Sequence, residues 1–395
     1  MYNYESNIRK SYLVRLLYNM FFFSAVMVPF YTDWGHIPFH WIFFINAWFM
    51  FWNFLLEIPT GTVADFLGRK ISIILGCIAG VIGSITYVSY PSIYVFLCSE
   101  IIFAVSFTLL SGADEALVYD SLIQAGKTDI SKKVLSRMES FKLAGILISG
   151  PLGGLIAREL GLQMPVLFQV IPLSLAGIVA FTLKEPPISE EKPRMTFRSY
   201  SRILMQGIRF FRNSSVLKTL TLDMVIVNGL AWSILWTYQA LLRSAGVGIG
   251  YFGIIHATIS LVEIIIISNF IRMEKWMNSR KRVLFLSAFI AGAFFIVLGL
   301  TQYIPLVILG ILLAAGFGLT RRPLFSNYMN KYIPSETRAT VLSTTSMIST
   351  FSIVVFNVIA ALLTRWSIPV TMIIYGVAIV AFSFVSRIKE EQLID

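Results

Sequence analysis

Three carboxyls and one imidazole stand inside long apolar runs, where a water-soluble chain would not place them. Glu100 sits in Cys98-Ser-Glu-Ile-Ile, Asp114 in Ser111-Gly-Ala-Asp-Glu, Glu263 in Leu261-Val-Glu-Ile-Ile and His256 in Ile254-Ile-His-Ala-Thr. An ionised group at bilayer depth costs about 2.5–3.5 kcal/mol on insertion scales, so each is a candidate for coupling work, the loading and release of a proton or ion. Glu100 ranks first. It lies about eight residues inside its run, roughly 12 Å deep at 1.5 Å per residue. Asp114 and Glu263 follow. His256, the one histidine deep within a run, reads equally as a hydrogen-bonding residue of the interior. Arg15 lies nearer to Asp114 or Glu139 in depth than to Glu100. Glu57, Asp120, Glu139 and Lys142 fall within a turn of a membrane face, where such side chains snorkel or pair.

The elements that must position these groups follow from composition. Of 395 residues, 56% are apolar and 13% charged, and mean hydropathy is +0.76. Soluble domains carry about 25% charged residues, so a soluble enzyme is excluded, as is disorder. Two cysteines, Cys77 and Cys98, exclude a disulfide scaffold. Twelve apolar segments can be drawn, at 11–31, 39–60, 71–90, 92–113, 138–158, 164–183, 216–242, 247–270, 282–302, 304–325, 339–364 and 367–386. Each is close to the roughly 20 residues that cross a 30 Å hydrocarbon core. The fold class expected is all-α and integral to the membrane. The first segment follows a short polar start and has no cleavage pattern, so it reads as an uncleaved anchor.

The connections alternate in charge. Arg69, Lys70, Lys127, Lys132, Lys133, Arg272, Lys275, Arg280, Lys281, Arg282, Lys331 and Arg338 lie on one side. Of the 32 lysines and arginines, about three, Arg158, Arg243 and Arg365, lie on the other. The positive-inside rule then places both termini in the cytoplasm and the protein in the cytoplasmic membrane. The net charge of +11 is this topology signal, and no nucleic-acid partner is expected. The longest polar stretch, 184–215, separates six spans from six, giving a first bundle at 1–183 and a second at 216–395. Tyr200 to Phe211 within it has the pattern of a basic amphipathic helix.

The loop after the second span reads Gly61-Thr-Val-Ala-Asp65-Phe-Leu-Gly68-Arg69-Lys70. Gly61 and Gly68 suit close approach and a sharp turn, Asp65 a helix N-terminus or a base, and Arg69 and Lys70 the cytoplasmic side. This run resembles the signature of the major facilitator superfamily, G-x-x-x-D-x-x-G-R-[KR], at the loop where that family carries it. The resemblance implies two pseudo-symmetric six-helix bundles, secondary transport by alternating access, and a gating role for Gly61, Asp65, Gly68, Arg69 and Lys70. It also implies that one chain suffices as a functional monomer, with a small-molecule substrate, the bilayer and protons as partners.

Other parts of the chain depart from the family pattern. Gly145, then Gly150-Pro151-Leu-Gly153-Gly154, resembles the glycine–proline motif of the superfamily's drug–proton antiporters but is one residue short. Close helix packing with a proline kink explains these glycines as well. The fourth span has Glu100 where many proton-coupled members carry an arginine, so that relay does not transfer. Asp114 and Glu115 correspond by position to Arg321 and Arg322 in the tenth span, which suggests charge contacts between the bundles.

Aromatic residues are abundant, mostly as lipid-facing or interfacial groups. Trp52, Asn53, Asn228, Trp232, Trp236 and Tyr238 are candidates for a central cavity. Such a cavity suits lipophilic or cationic solutes, whereas Arg321 and Arg322 suit an anion; substrate charge stays open. No zinc HExxH, GxSxG elbow or GxxxxGK[ST] loop occurs, so neither an enzyme, an ATP-driven pump, a bound metal nor a cofactor is expected. Proton-coupled efflux of small organic molecules leads. Metabolite import is the alternative, and a non-transporting sensor or scaffold on the same fold is the alternative of another class.

Overall fold

In lipid, backbone polar groups find no water, so an apolar run of this length satisfies its N–H and C=O groups internally by forming a helix. The computed structural model describes residues 4–187, 205, 209, 211–333 and 338–393, and among them every regular element is helical. The possible amphipathic helix at 200–211 falls almost wholly outside the described residues, as does most of the 184–215 connection.

The long helices are α1 (Glu5–Tyr18), α2 (His40–Leu67), α3 (Arg69–Tyr87), α4 (Ile93–Leu110), α5 (Ala113–Gln124), α6 (Ser131–Leu160), α7 (Val170–Phe181), α8 (Ser215–Ala231), α9 (Ile234–Ser244), α10 (Phe252–Met277), α11 (Arg280–Leu300), α12 (Ile304–Leu319), α13 (Arg321–Asn330), α14 (Arg338–Thr364) and α15 (Ile368–Val385). Several are two parts of one span. Among the described residues ten spans are long and apolar enough to cross a bilayer, and a bent pair, Glu5–Ala25 with Met27–Trp34, makes an eleventh. The 28-residue α2 completes the twelve expected.

Helix starts follow local chemistry. Ser214, Ser279 and Ser367 precede α8, α11 and α15, and each hydroxyl accepts a hydrogen bond from the backbone N–H three residues on, satisfying a donor the helix cannot. The breaks matter more. α4 and α5 are parted by Ser111 and Gly112, with Gly112 at φ +78. α12 and α13 meet at Thr320. The first span breaks near Val26, bends by 61° and ends in a five-residue π turn, Phe30–Trp34.

The chain divides into two compact units. One comprises 1–37, 48–197 and 249–257, the other 38–47, 198–248 and 258–395. Two short segments, 38–47 and 249–257, thus group with the opposite half of the sequence. The first unit packs Val14, Tyr18, Ile73, Cys77, Leu110, Leu117, Leu173 and Ala176 into a buried cluster. The second buries Leu217, Leu220, Met224, Phe270, Leu284, Phe325, Met329 and Val341 with Ile388 and Leu393 of the C-terminal tail. Lipid is as apolar as these side chains, so close packing and internal hydrogen bonds hold the helices together.

Candidate functional site

In the signature loop a single residue separates two long helices. Gly68 lies between α2 and α3 at φ +97, a conformation that costs glycine little. Its missing side chain also leaves room for a carboxylate: a Cβ there would lie 3.1 Å from Glu185 Cδ. Glu185 accepts hydrogen bonds from the backbone N–H groups of Arg69 (2.9 Å) and Lys70 (2.7 Å), capping α3 from the far end of the first half. The Arg69 guanidinium pairs with Asp120 and donates to the Ala116 carbonyl at 2.6 Å. Lys70 is partly buried. Gly61 is exposed on α2, and among the described residues nothing lies within 4 Å of where a Cβ would stand, so none of them makes the close approach expected there. The Asp65 side chain lies outside the described residues.

Asp114 and Glu115 open α5 and share one cation. Arg15 of α1 reaches Asp114 at 2.5 Å, Glu115 at 2.7 Å and Glu139 of α6 at 3.1 Å. Asp114 also accepts from the Glu115 backbone N–H at 2.7 Å. In the second unit Arg321, the first residue of α13, pairs with Asp223 of α8 and donates to the Leu284 carbonyl and to Ser287 Oγ (3.3 Å). Ser386 donates to the other Asp223 oxygen at 2.7 Å. Arg322 donates to Ser346 Oγ at 2.9 Å. The partners of Asp114, Glu115 and Arg321 in this state therefore come from their own halves. Arg321 and Asp223 are 98 positions apart, and nothing in the sequence joins them.

Among the described residues, the side-chain partners of Glu100, on α4, are hydroxyls alone. Tyr87 of α3 donates to its Oε1 at 2.6 Å and Tyr31 of the π turn at 3.1 Å, and the two phenols also touch each other. Phe30, Phe96 and Phe103 pack around the tyrosine rings. Neither tyrosine was a candidate from sequence; the one available signal was that a deep carboxyl needs donors. Glu263 on α10 is partly buried and makes no hydrogen bond or ion pair with the described residues. His256, seven residues earlier on the same helix, is partly buried too.

The glycine-rich stretch lies in α6, which runs unbroken past Pro151. A Cβ on Gly145 would strike the Leu16 carbonyl oxygen, and one on Gly153 the Phe22 carbonyl oxygen, so both glycines seat the first span. A Cβ on Gly154 would lie 2.9 Å from the Gly250 carbonyl oxygen. One on Gly150 would lie 2.8 Å from that of Gly253, and one on Gly253 would overlap that of Gly150. The C-terminal end of α6 and the N-terminal end of α10 thus meet backbone to backbone. In the other unit, Asn357 of α14 donates to Asn46 Oδ1 of α2 at 2.6 Å, both buried. The partner glycines Gly250 and Gly253 are invisible to any one-dimensional motif.

The aromatic candidates separate. Trp52, Asn53, Trp232 and Trp236 keep partly open surface, and the indole N–H groups of the three tryptophans have no acceptor among the described residues. Asn228 and Tyr238 are buried. Asn228 donates to the Leu319 carbonyl at 3.2 Å and Tyr238 accepts from Gln239 at 2.9 Å; both are interior packing residues in this state.

The sequence profile of the Major Facilitator Superfamily matches residues 13–356. The chain belongs to this superfamily. Solved structures agree on the fold. The nucleoside transporter NupG is 14% identical with a TM-score of 0.78, covering 98% of this chain and 100% of that one. The D-xylose-proton symporter is 14% identical with a TM-score of 0.73 and coverages of 98% and 99%. A POT family transporter in complex with 5-aminolevulinic acid is 14% identical, with a TM-score of 0.74 and coverages of 98% and 96%. At this identity the shared property is the fold. No curated protein matches the sequence. The superfamily transporter is thus a multi-pass membrane protein with twelve helical spans.

Proposed function

We propose that this superfamily member moves a small organic solute by alternating access, driven by protons, from a cytoplasmic membrane with both termini inside. The observation that carries the reading is the glycine seam. Under that topology the α6–α10 contact and the Asn46–Asn357 bond lie toward the outer ends of their helices. Each joins helices from opposite halves of the sequence. A seam without side chains parts and re-forms with little repacking, as a gate must. Arg321 is neutralised by Asp223, so the argument for an anionic substrate loses its strongest residue. Within the second unit, the partly open surfaces of Trp232 and Trp236 then favour lipophilic or cationic solutes.

Export against protons is the first reading. Uptake with protons is the second, favoured by the D-xylose-proton symporter among the structural neighbours and by the shortened glycine–proline motif. Proteoliposomes with an imposed pH gradient decide between them when challenged with lipophilic cations, nucleosides, sugars and peptides. Solute and proton moving in opposite senses supports export; the same sense supports uptake. Silence across the panel, with binding of a panel member shown separately, contradicts coupled transport and supports a sensor.

A further inference from the structure

The surroundings of Glu100 fix more than its position. Its Oε1, the Tyr31 hydroxyl and the Tyr87 hydroxyl form a closed ring of three oxygens with three contacts. A phenol has one O–H to give, and an ionised carboxylate has none. With Glu100 ionised, two protons serve three contacts and one oxygen pair meets lone pair to lone pair. With Glu100 protonated, three protons serve three contacts: Glu100 donates to Tyr31, Tyr31 to Tyr87, and Tyr87 back to Glu100. Among the described residues no cation reaches the carboxyl. The groups facing the carboxyl are Tyr31 from the first span and Tyr87 from α3. The phenylalanine rings packed on those tyrosines, Phe23, Phe30, Phe96 and Phe103, carry no charge.

We propose that this ring is the seat of the transported proton, with Tyr31 and Tyr87 as positioning residues and the bend of the first span as the element that opens it. The proposal rests on the proton-coupled reading above. Tyr31 belongs to the π turn beyond the 61° break, and irregular turns of this kind are frequent at functional sites. When that short segment swings away, only Tyr87 still donates to Glu100. One contact then remains, which one proton satisfies, and the carboxyl proton passes to water. The Oε1–H bond breaks as an O–H bond forms on the accepting water, leaving a carboxylate and a hydronium ion; no other covalent bond changes.

The test is infrared difference spectroscopy of the purified full chain in nanodiscs at neutral pH, without any solute. A protonated-carboxyl stretch that is sensitive to deuterium and disappears in Glu100→Gln is expected. Tyr87→Phe and Tyr31→Phe keep the fold, checked by far-UV circular dichroism, and each moves the pH at which the band vanishes. Glu263→Gln leaves this band in place. Absence of the band at neutral pH, or a band that neither tyrosine variant moves, overturns the ring. Because no flux is measured, a ring that stands beside absent transport faults the coupled reading alone, and transport without the band faults the ring alone.

Discussion

The two halves solve one positional problem with opposite charges. In the first, Arg15 of α1 holds the start of α5 through Asp114 and Glu115; in the second, Asp223 of α8 holds the start of α13 through Arg321. Both pairs sit where a span is broken, tying its second part to the first long helix of that half. The surroundings differ. Arg15 meets three carboxylates and its side chain is 11% exposed, while Arg321 has one carboxylate and is 2% exposed. Acids at a helix N-terminus lie with the helix dipole; an arginine there lies against it. Asp223, the Leu284 carbonyl and Ser287 offset that conflict. The fold fixes where the tie must be, and the sign follows local supply.

The largest expected effect is at Arg321. Arg321→Ala leaves Asp223 buried with Ser386 as its remaining donor, a loss of about 3–5 kcal/mol for a broken buried pair, read by thermal unfolding in detergent. Arg321→Lys recovers only part, because an ammonium lacks the planar fork that reaches Asp223 and Leu284 together. Arg15→Ala costs less, roughly 1–3 kcal/mol, since Asp114 keeps the Glu115 N–H and Glu139 keeps Lys142. Equal losses at the two arginines break the comparison. A swap sharpens it: Asp223→Arg with Arg321→Asp is expected to be more stable than Arg321→Asp alone by about 2 kcal/mol, within the usual range for contacting pairs. No recovery means that the surroundings, not the pair, set the sign.

The legible parts of the molecule were those written in short-range pattern. Apolar length gave the spans, and Gly68-Arg69-Lys70 marked the turn that the structure places between α2 and α3. Depth along a helix offers Asp114 or Glu139 as the partner of Arg15, and both meet it. Pairing across long separations was not legible: Asp223 with Arg321, Gly150 with Gly253, and Glu185 over Arg69 are tertiary facts. The bend of the first span also escaped, because Met20 to Phe30 is apolar whether helical or broken. Tyr31 escaped with it.

The smallest expected effect compares the two tail carboxylates. Glu390 caps α11, accepting from Ser279 Oγ (2.8 Å) and from the Arg280 (2.7 Å) and Lys281 (2.9 Å) N–H groups, as Glu185 caps α3. Burial pushes the Glu390 carboxyl up, but these donors and the Arg280 charge outweigh it and hold it below the ordinary carboxylate value. A lowered folded value means that its contribution is full above the unfolded value, near 4.3, and fades as pH falls through the folded one. Glu390→Gln is therefore expected to cost about 0.5 kcal/mol at neutral pH, as for a weakened cap, and nothing in strong acid. A loss that persists unchanged in strong acid contradicts the charged cap.

The claim beneath all of this is that the protein converts a proton gradient into solute movement through Glu100. The most direct measurement compares wild type and Glu100→Gln in proteoliposomes for two activities on one solute: uphill accumulation under a pH gradient, and exchange at equilibrium. The account predicts that the variant loses accumulation and keeps exchange. Full uphill accumulation by Glu100→Gln would contradict it.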